Sequence, residues 1–418
     1  METPTSTRRS LLVLFAGIVG FVAILTWWVG YALPLVIFAI IFMVMAHEFG
    51  HFITAKRAGM KVTDFFVGFG PVLWSTTIGE TRYGVRAILA GGYVKVPGMM
   101  WSETVAPEDE KRTYRSASYP RKALFASAGS LMHVIMALVL AYAALTLVGS
   151  PSNHVDVSGF TKWQGRTQNA AQMAGLKRGD RIVAINGHQV TSDTQLSKAV
   201  SESSGKTVTL LVDRAGRDVT LHATPVDGRT LKSGGQPIAT GKKAHGYLGV
   251  ELNNPKVKAT WYGAIPRSFT EVTSLIGTAA RAMVHVFSPG DFSSLFHQIA
   301  SPAAASNPHN QLTRPSSIVG VARIAVQSTS TGLGFLLILF MALNIFVGLL
   351  NILPMLPLDG GYVAIATYER IRSRRGLRYH ADVNKMIPFA YAFMTVLLVL
   401  FACTVFLDIA HPIANQFQ

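Results

Sequence analysis

The sequence predicts a multi-pass α-helical membrane protein of about five spans, with a β-rich cytoplasmic segment and an extracytoplasmic α+β domain. Three observations predict it. Half of the 418 residues are hydrophobic and only 14% are charged, whereas globular proteins carry roughly 25% charged residues; the mean hydropathy is +0.34. Separate apolar stretches approach the length of about 20 residues that a bilayer core requires. The basic residues behind the net charge of +16 gather in segments flanking those stretches, as the positive-inside bias demands.

Residues 1–32 hold the first apolar stretch, Ser10 to Trp28, behind the basic pair Arg8 and Arg9. That pair keeps the N-terminus cytoplasmic, and no small-residue cleavage site follows, which argues against a removed signal peptide. Trp27, Trp28 and Tyr31 form an aromatic belt at a tight outer turn. Residues 33–58 return as the second span, Leu33 to Thr54, and deliver Lys56, Arg57 and Lys61 to the cytoplasm.

Residues 59–121 form the β-rich segment. Between Val62 and Pro97, VGFGPVLW and YGVRAILAGGYVKV alternate β-branched, aromatic and glycine residues, the pattern of short strands with glycine bends. The third span, Ala123 to Val148, lies within 122–149. Residues 150–255 make the extracytoplasmic domain, with a tight turn at Gly179-Asp180, a strand from Ile182 and a hairpin turn at Asn186-Gly187. A helix around Thr194 to Ser203 and strands at Val208 to Asp213 and Val219 to Ala223 follow.

Residues 256–331 read as an extracytoplasmic or interfacial linker, in which Ala259 to Phe287 can form an interfacial or a substrate-shielding helix. Residues 332–386 carry the fourth span, Gly332 to Leu353, and a basic loop with Arg370, Arg372, Arg374, Arg375, Arg378 and Lys385. Residues 387–418 hold the last span, Ile387 to Phe406, and a tail that begins outside at Asp408. With the N-terminus inside, both basic loops are cytoplasmic. No nucleic-acid motif accompanies the charge, so nucleic acid is not an expected partner; the arginine cluster meets anionic lipid instead. Cys403 is the single cysteine, which rules out an intrachain disulfide and says little about redox compartment.

The chemistry sits at the end of the second span, where His47, Glu48, Phe49, Gly50 and His51 follow the uncharged run LPLVIFAIIFMVMA. Two histidines four apart on a helix share one face, so both imidazoles can bind one zinc ion. Glu48 projects beside the metal, where it can take a proton from a water. Ionisable groups at bilayer depth are expensive and seldom persist without a partner or a function. A catalytic zinc needs a third protein ligand. The segment from Asn351 to Gly361 provides Asp359, at the end of an otherwise uncharged stretch. Its two prolines and two glycines break the helix, which membrane depth tolerates chiefly where backbone lines a cavity or is buried. Alone, Asp359 reads equally well as the cap of a helix starting at Gly360. Beside His47 and His51 it reads as the third ligand.

A membrane-embedded HExxH, a distant NxxPxxxLDG and a PDZ-type domain between them resemble the site-2 protease family of intramembrane zinc metalloproteases. The likeness runs from about Leu33 to Ile413 and is closest to the bacterial single-PDZ branch; VNKMIPFAYAF near the last span is similar to actinobacterial members. The resemblance implies Zn2+ bound by His47, His51 and Asp359, with Glu48 as general base and Asn351 donating a hydrogen bond to the substrate carbonyl. It implies that the GFGP and GGYVKV segments are membrane-associated β-structure that holds the substrate extended. Gly246, Leu248 and Gly249 resemble the Gly-hydrophobic-Gly loop of a PDZ groove, whose backbone N–H groups capture a C-terminal carboxylate.

The same resemblance implies an enzyme of the bacterial plasma membrane that cuts transmembrane segments of single-span proteins. Its substrates would be anti-sigma factors or remnant signal peptides, already trimmed by an upstream site-1-type protease. A catalytically inactive membrane adaptor with a PDZ-like domain is the alternative. A transporter is disfavoured by the lack of two matched apolar halves. Two departures stand out. Ala128-Gly129-Ser130-Leu131-Met132-His133 replaces the AGPxxN of many relatives, with Ser for Pro and His for Asn. His133 reads as an interhelical hydrogen-bonding histidine, with a polar contact near the site as the alternative. Tyr362 follows the LDGG where relatives often carry histidine.

Overall fold

Helix α1 (Ala32–Arg57) has no break in its apolar run and stops where Gly59 adopts φ +76°. The Met60 N–H then reaches back to the Ala55 carbonyl, closing the helix end. The computed structural model describes residues 16–413 except 18, 21, 25, 29, 100–102, 164–167, 234–235, 238–243, 308–309, 312–313, 328–331 and 374–378. Arg8, Arg9, the first residues of the Ser10–Trp28 stretch, Arg374, Arg375 and Arg378 therefore lie outside the described residues. Two compact units divide the chain, Leu145–Trp261 and the remainder.

After α1 come the long strands β1 (Asp64–Ile78) and β2 (Thr81–Lys95). They bend so that Asp64 to Val67 lies between Arg82 to Val85 on one side and Gly92 to Lys95 on the other. Val62, Val96, Met60 and Tyr114 pack this structure onto Ala55 of α1 and Phe125 of the next helix, α2 (Tyr119–Ala143). A charged clamp holds the hairpin tip: Lys56 Nζ lies 2.7 Å from Glu80 Oε1, and Arg112 reaches both Glu80 oxygens at 2.7 and 2.8 Å.

Hydrogen bonds from Arg112 and Lys56 hold the Glu80 carboxyl down at about 2. A depressed carboxylate contributes its stabilisation above the ordinary range and loses it as pH falls towards the lowered value. Glu80→Gln is therefore expected to speed amide hydrogen exchange across Ile78 to Thr81 at neutral pH. In the unmutated protein, protection of the same amides relative to their intrinsic exchange rates is expected to be lost only as pH falls from about 4.5 towards 2. Equal exchange in both proteins at neutral pH would show that the clamp holds nothing.

In the second unit, β3 (Val155–Phe160), β4 (Arg181–Ile185), β5 (Val208–Arg214), β6 (Arg217–Ala223) and β7 (Val250–Asn253) order as β7-β3-β4-β5-β6. The short strand His188–Gln189 adds to β4 through a turn in which Asn186 and Gly187 take φ +50° and +81°, the backbone a two-residue hairpin needs. Helix α3 (Ala170–Met173) is closed by a reciprocal cap between Asn169 and Gln172. Helix α4 (Asp193–Glu202) starts on the Ser192 side chain. Leu196 and Val200 of α4 join Val155, Ile182, Leu210 and Val212 in the core.

The rest of the chain returns to the first unit. The helix expected over Ala259 to Phe287 is α5 (Trp261–Val286), and the rest of the region expected as a linker is also largely helical, with α6 (Pro289–Ala300) and α7 (Ile318–Gln327). Then follow α8 (Leu333–Asn351), α9 (Asp359–Arg372) and α10 (Ile387–Ala410). Val272 of α5 packs among Ala137 and Ala141 of α2 and Met341 and Ile345 of α8. Ala325 of α7 packs with Val36 of α1 and Leu336 and Phe340 of α8.

Among the described residues, four helices are long and apolar enough to cross a membrane: Leu33–Arg57, Tyr119–Val148, Leu333–Asn351 and Ile387–Ala410. Phe38, Phe42, Val139, Ile338 and Phe401 stand exposed on them, as side chains that face lipid do. Asp408, expected to open an outer tail, is instead buried in α10 against Arg314.

Candidate active site

Close approach of α1 and α2 builds the first half of the site. His47, Gly50 and His51 share the face of α1 that meets α2. A Cβ on Gly50 would lie 2.6 Å from Met132 Cγ and 2.7 Å from the Ala128 carbonyl oxygen. On Gly129 it would lie 2.2 Å from His47 Cε1. Only glycine fits either position, and such small residues are what let two membrane helices meet backbone to backbone.

Asp359 comes from the far end of the chain. The broken backbone after α8 folds back on itself, so that a Cβ on Gly360 would lie 2.2 Å from the Ile352 carbonyl oxygen. A Cβ on Gly361 would meet the Leu356 nitrogen at 2.8 Å. Asp359 is the first residue of α9, and Leu358 occupies the cap position with no side-chain cap bond. The capping reading of Asp359 is thus set aside. Its Oδ2 instead lies 3.2 Å from His51 Nε2 and 3.4 Å from His47 Nε2, and the two Nε2 atoms are 3.2 Å apart.

This triangle fits a metal. Zinc bound tetrahedrally by nitrogen and oxygen at about 2.0–2.1 Å separates its ligand atoms by about 3.3–3.4 Å. His51 Nδ1 lies 2.8 Å from the Phe125 carbonyl oxygen. Donating there places the proton on Nδ1 and leaves the Nε2 lone pair for the cation, while fixing the ring. The Asp359 side chain is only 20% exposed, and those of His47 and His51 are 12% and 8% exposed.

Glu48 stands outside the triangle, beside β2. A Cβ on Gly92 would lie 3.0 Å from Glu48 Cγ and 3.0 Å from the Phe66 carbonyl oxygen. Gly92 thus lets the strand backbone pass directly against Glu48. Asn351, expected at the scissile carbonyl, is half-buried at the last residue of α8 and makes no side-chain hydrogen bond among the described residues. Gly246, Leu248 and Gly249 lie in the second unit and line a cavity of about 510 Å³ beside Leu196 and Val200 of α4. Gly249 has φ +78° and packs on Asn169.

The pattern of the sequence missed a partner. His133 is fully buried, and its Nδ1 lies 3.1 Å from Asn344 Oδ1 on α8, while Asn344 Nδ2 donates to the Phe340 carbonyl. The His133 ring also sits 5.1 Å from that of His47. Both readings of His133 therefore hold: it bridges α2 and α8 and it walls the site. Asn344, a polar side chain in the middle of an apolar span, was the visible signal.

A profile of Peptidase family M50 matches residues 35–397. Zinc metalloprotease Rip1 of Mycobacterium tuberculosis is 33% identical over 401 residues, which cover 90% of this chain and 96% of the relative. Zinc metalloprotease Rip1 of Mycolicibacterium smegmatis is 30% identical over 413 residues, covering 92% and 98%. The donor set on α1 and α9 agrees with the metal these relatives are named for. The chain belongs to Peptidase family M50, the site-2 proteases, and is a zinc metalloendopeptidase with helices long and apolar enough to cross a membrane.

Proposed function

We propose that the protein is an intramembrane endopeptidase of the bacterial plasma membrane, cutting transmembrane segments of single-span proteins already trimmed outside. The observation that carries this reading is the His47–His51–Asp359 triangle at the ends of apolar helices, with Glu48 and a bare strand backbone beside it. Zinc held by these three residues would polarise the scissile carbonyl and bring the pKa of a water towards neutrality. Glu48 accepts the proton of that water and delivers it to the leaving amine. Asn351 donates its free amide N–H to the substrate carbonyl. A bilayer helix makes every backbone bond internally, so the substrate must unwind before attack. The strand passing Glu48 at Gly92 receives the unwound stretch by strand addition.

The remaining chain acts on access. Residues 150–255 form a PDZ-like domain outside the membrane, with its ligand groove at Gly246, Leu248 and Gly249. It excludes untrimmed proteins, since a protease surrounded by intact single-span proteins needs a gate. Anti-sigma factors and remnant signal peptides fit as substrates, delivered by a site-1-type protease. The inactive-adaptor reading gains no support from the site, because an adaptor has no need of a complete ligand triangle.

Reconstitution in vesicles tests this function. A trimmed single-span substrate is expected to be cut within its apolar segment, with cleavage lost on chelation and regained with zinc. Deleting Val155 to Val250 is expected to admit the untrimmed form as well. No zinc-dependent cleavage of the trimmed substrate would overturn the proposal. Unchanged selectivity after the deletion would remove the gate.

Five spans with a cytoplasmic N-terminus follow from the basic loops. A reporter fused after Pro107 is expected to register as cytoplasmic, and one at Asp227-Gly228 as extracytoplasmic. The reverse pattern would invert the topology.

A further inference from the structure

A cavity of about 680 Å³ opens among α5, α6, α7 and α8, away from the metal site. Volumes of about 300–1,000 Å³ are those of small-ligand sites. Its walls are apolar, from Val286, Leu295, Leu339, Leu343 and Phe346. Arg314 also lines it, with a side chain that is 0% exposed. The guanidinium Nη2 is occupied: it lies 3.2 Å from Asp408 Oδ1 and donates to the His411 carbonyl at 2.7 Å. Arg314 Nε and Nη1 are buried and have no acceptor among the described residues.

Asp408 cannot turn to meet them, because its Oδ2 accepts from both the Ser317 N–H and the Ser317 hydroxyl at 2.7 Å. A second guanidinium, Arg323, donates to the backbone carbonyl of Asp408 at 2.9 Å, while the carboxylate itself is taken up by Arg314 and Ser317. Gln298 lines the same cavity and is 2% exposed. Its Nε2 donates to Ser294 Oγ at 3.2 Å, but its Oε1 has no donor among the described residues. Polar atoms are rarely buried without partners in a finished structure. At the mouth, exposed Asp291 and His285 face each other at 3.9 Å.

We infer that this cavity is a binding site for one anionic phospholipid, whose phosphate accepts from Arg314 and whose acyl chain lies along α8. The unpartnered donors of Arg314 call for an anionic oxygen ligand, since phosphate accepts several charge-assisted bonds at once. The unpartnered Gln298 Oε1 calls for a donor on the same molecule, such as a headgroup hydroxyl. Leu339, Leu343 and Phe346 belong to a helix apolar enough to span the bilayer, so a tail seated on them continues into lipid. An anionic head with a hydroxyl and an apolar tail describes phosphatidylglycerol. The inference uses the membrane placement of α8 but not the proteolytic reading, and lipid binding is measured without any substrate.

The test is native mass spectrometry of the full-length protein in detergent, with phosphatidylglycerol, phosphatidylcholine or inorganic phosphate added. One phosphatidylglycerol is expected to stay bound with at least tenfold preference over phosphatidylcholine, and inorganic phosphate is expected not to displace it. The paired variant Arg314→Gln with Asp408→Asn removes the guanidinium charge together with its carboxylate partner, keeping charge balance, and is expected to lower retention at least tenfold. Ala282 lines the cavity from an exposed position on α5, so Ala282→Trp fills it without touching the polar network and is expected to do the same. Equal retention by the wild type and both variants would overturn the site. Equal retention of phosphatidylcholine would overturn the anionic headgroup, and displacement by phosphate alone would make it a free-anion site.

Discussion

Purified Glu48→Gln protein is expected to keep its zinc and lose proteolysis by at least about 100-fold, the scale at which a positioned general base acts. The geometry separates the two properties. Glu48 is absent from the ligand triangle of His47, His51 and Asp359 and lies instead against the strand backbone at Gly92. Replacing its carboxylate removes the proton acceptor without removing a metal donor. His51→Ala and Asp359→Ala are expected to lose zinc and activity together, because two remaining ligands hold the ion poorly. Zinc content by atomic absorption, read beside cleavage of a trimmed substrate, distinguishes the cases. A Glu48→Gln enzyme that cuts at the wild-type rate would end the assignment of Glu48 as base.

Gly129→Ala is expected to lower zinc affinity by about 10–100-fold, as much as losing an outer partner of a ligand, although Gly129 carries no donor. The added methyl would stand 2.2 Å from His47 Cε1 and 2.5 Å from its Nδ1. The ring must swing away, taking Nε2 out of the triangle it forms with His51 and Asp359. The matched control is Gly277→Ala, since a Cβ there has nothing within 4 Å. Both variants are expected to elute and absorb in the far ultraviolet as wild type does, which separates a moved ligand from a misfolded protein. Metal titration of the two, followed by activity at saturating zinc, checks the expectation. Wild-type zinc affinity in Gly129→Ala would show that the α1–α2 contact yields to the added methyl without moving His47.

Much of this arrangement was legible one segment at a time. The uncharged run ahead of His47 announced a span, because burying charge in lipid is so costly that its absence over some 20 residues is informative. The i, i+4 spacing put His47 and His51 on one face by helix geometry alone. Glycine and aromatic alternation between Val62 and Pro97 announced the strands, and Asn186-Gly187 announced its hairpin, because turns and pleats are local. Helix α5 was legible as Ala259 to Phe287, whereas α6 and α7 read as linker; α7 buries Ala325 against α1 and α8, and α6 buries Leu295 against Leu400 and Leu407 of α10.

The sequence by itself determined which groups can do the chemistry and at what depth: two histidines, a glutamate and an aspartate at the ends of apolar runs. Only the tertiary structure decided which of them meet. His51 and Asp359 are 308 positions apart, and His133 and Asn344 are 211 apart; no local pattern encodes such a distance. The meeting is made by what is missing, the Cβ atoms at Gly50, Gly129, Gly348 and Gly360, each of which would fall within 3 Å of a neighbouring helix or loop. A glycine in a sequence looks the same whether it faces open space, as Gly277 does, or backs a histidine, as Gly129 does. Packing at van der Waals contact tells them apart, and packing exists only once the helices have come together.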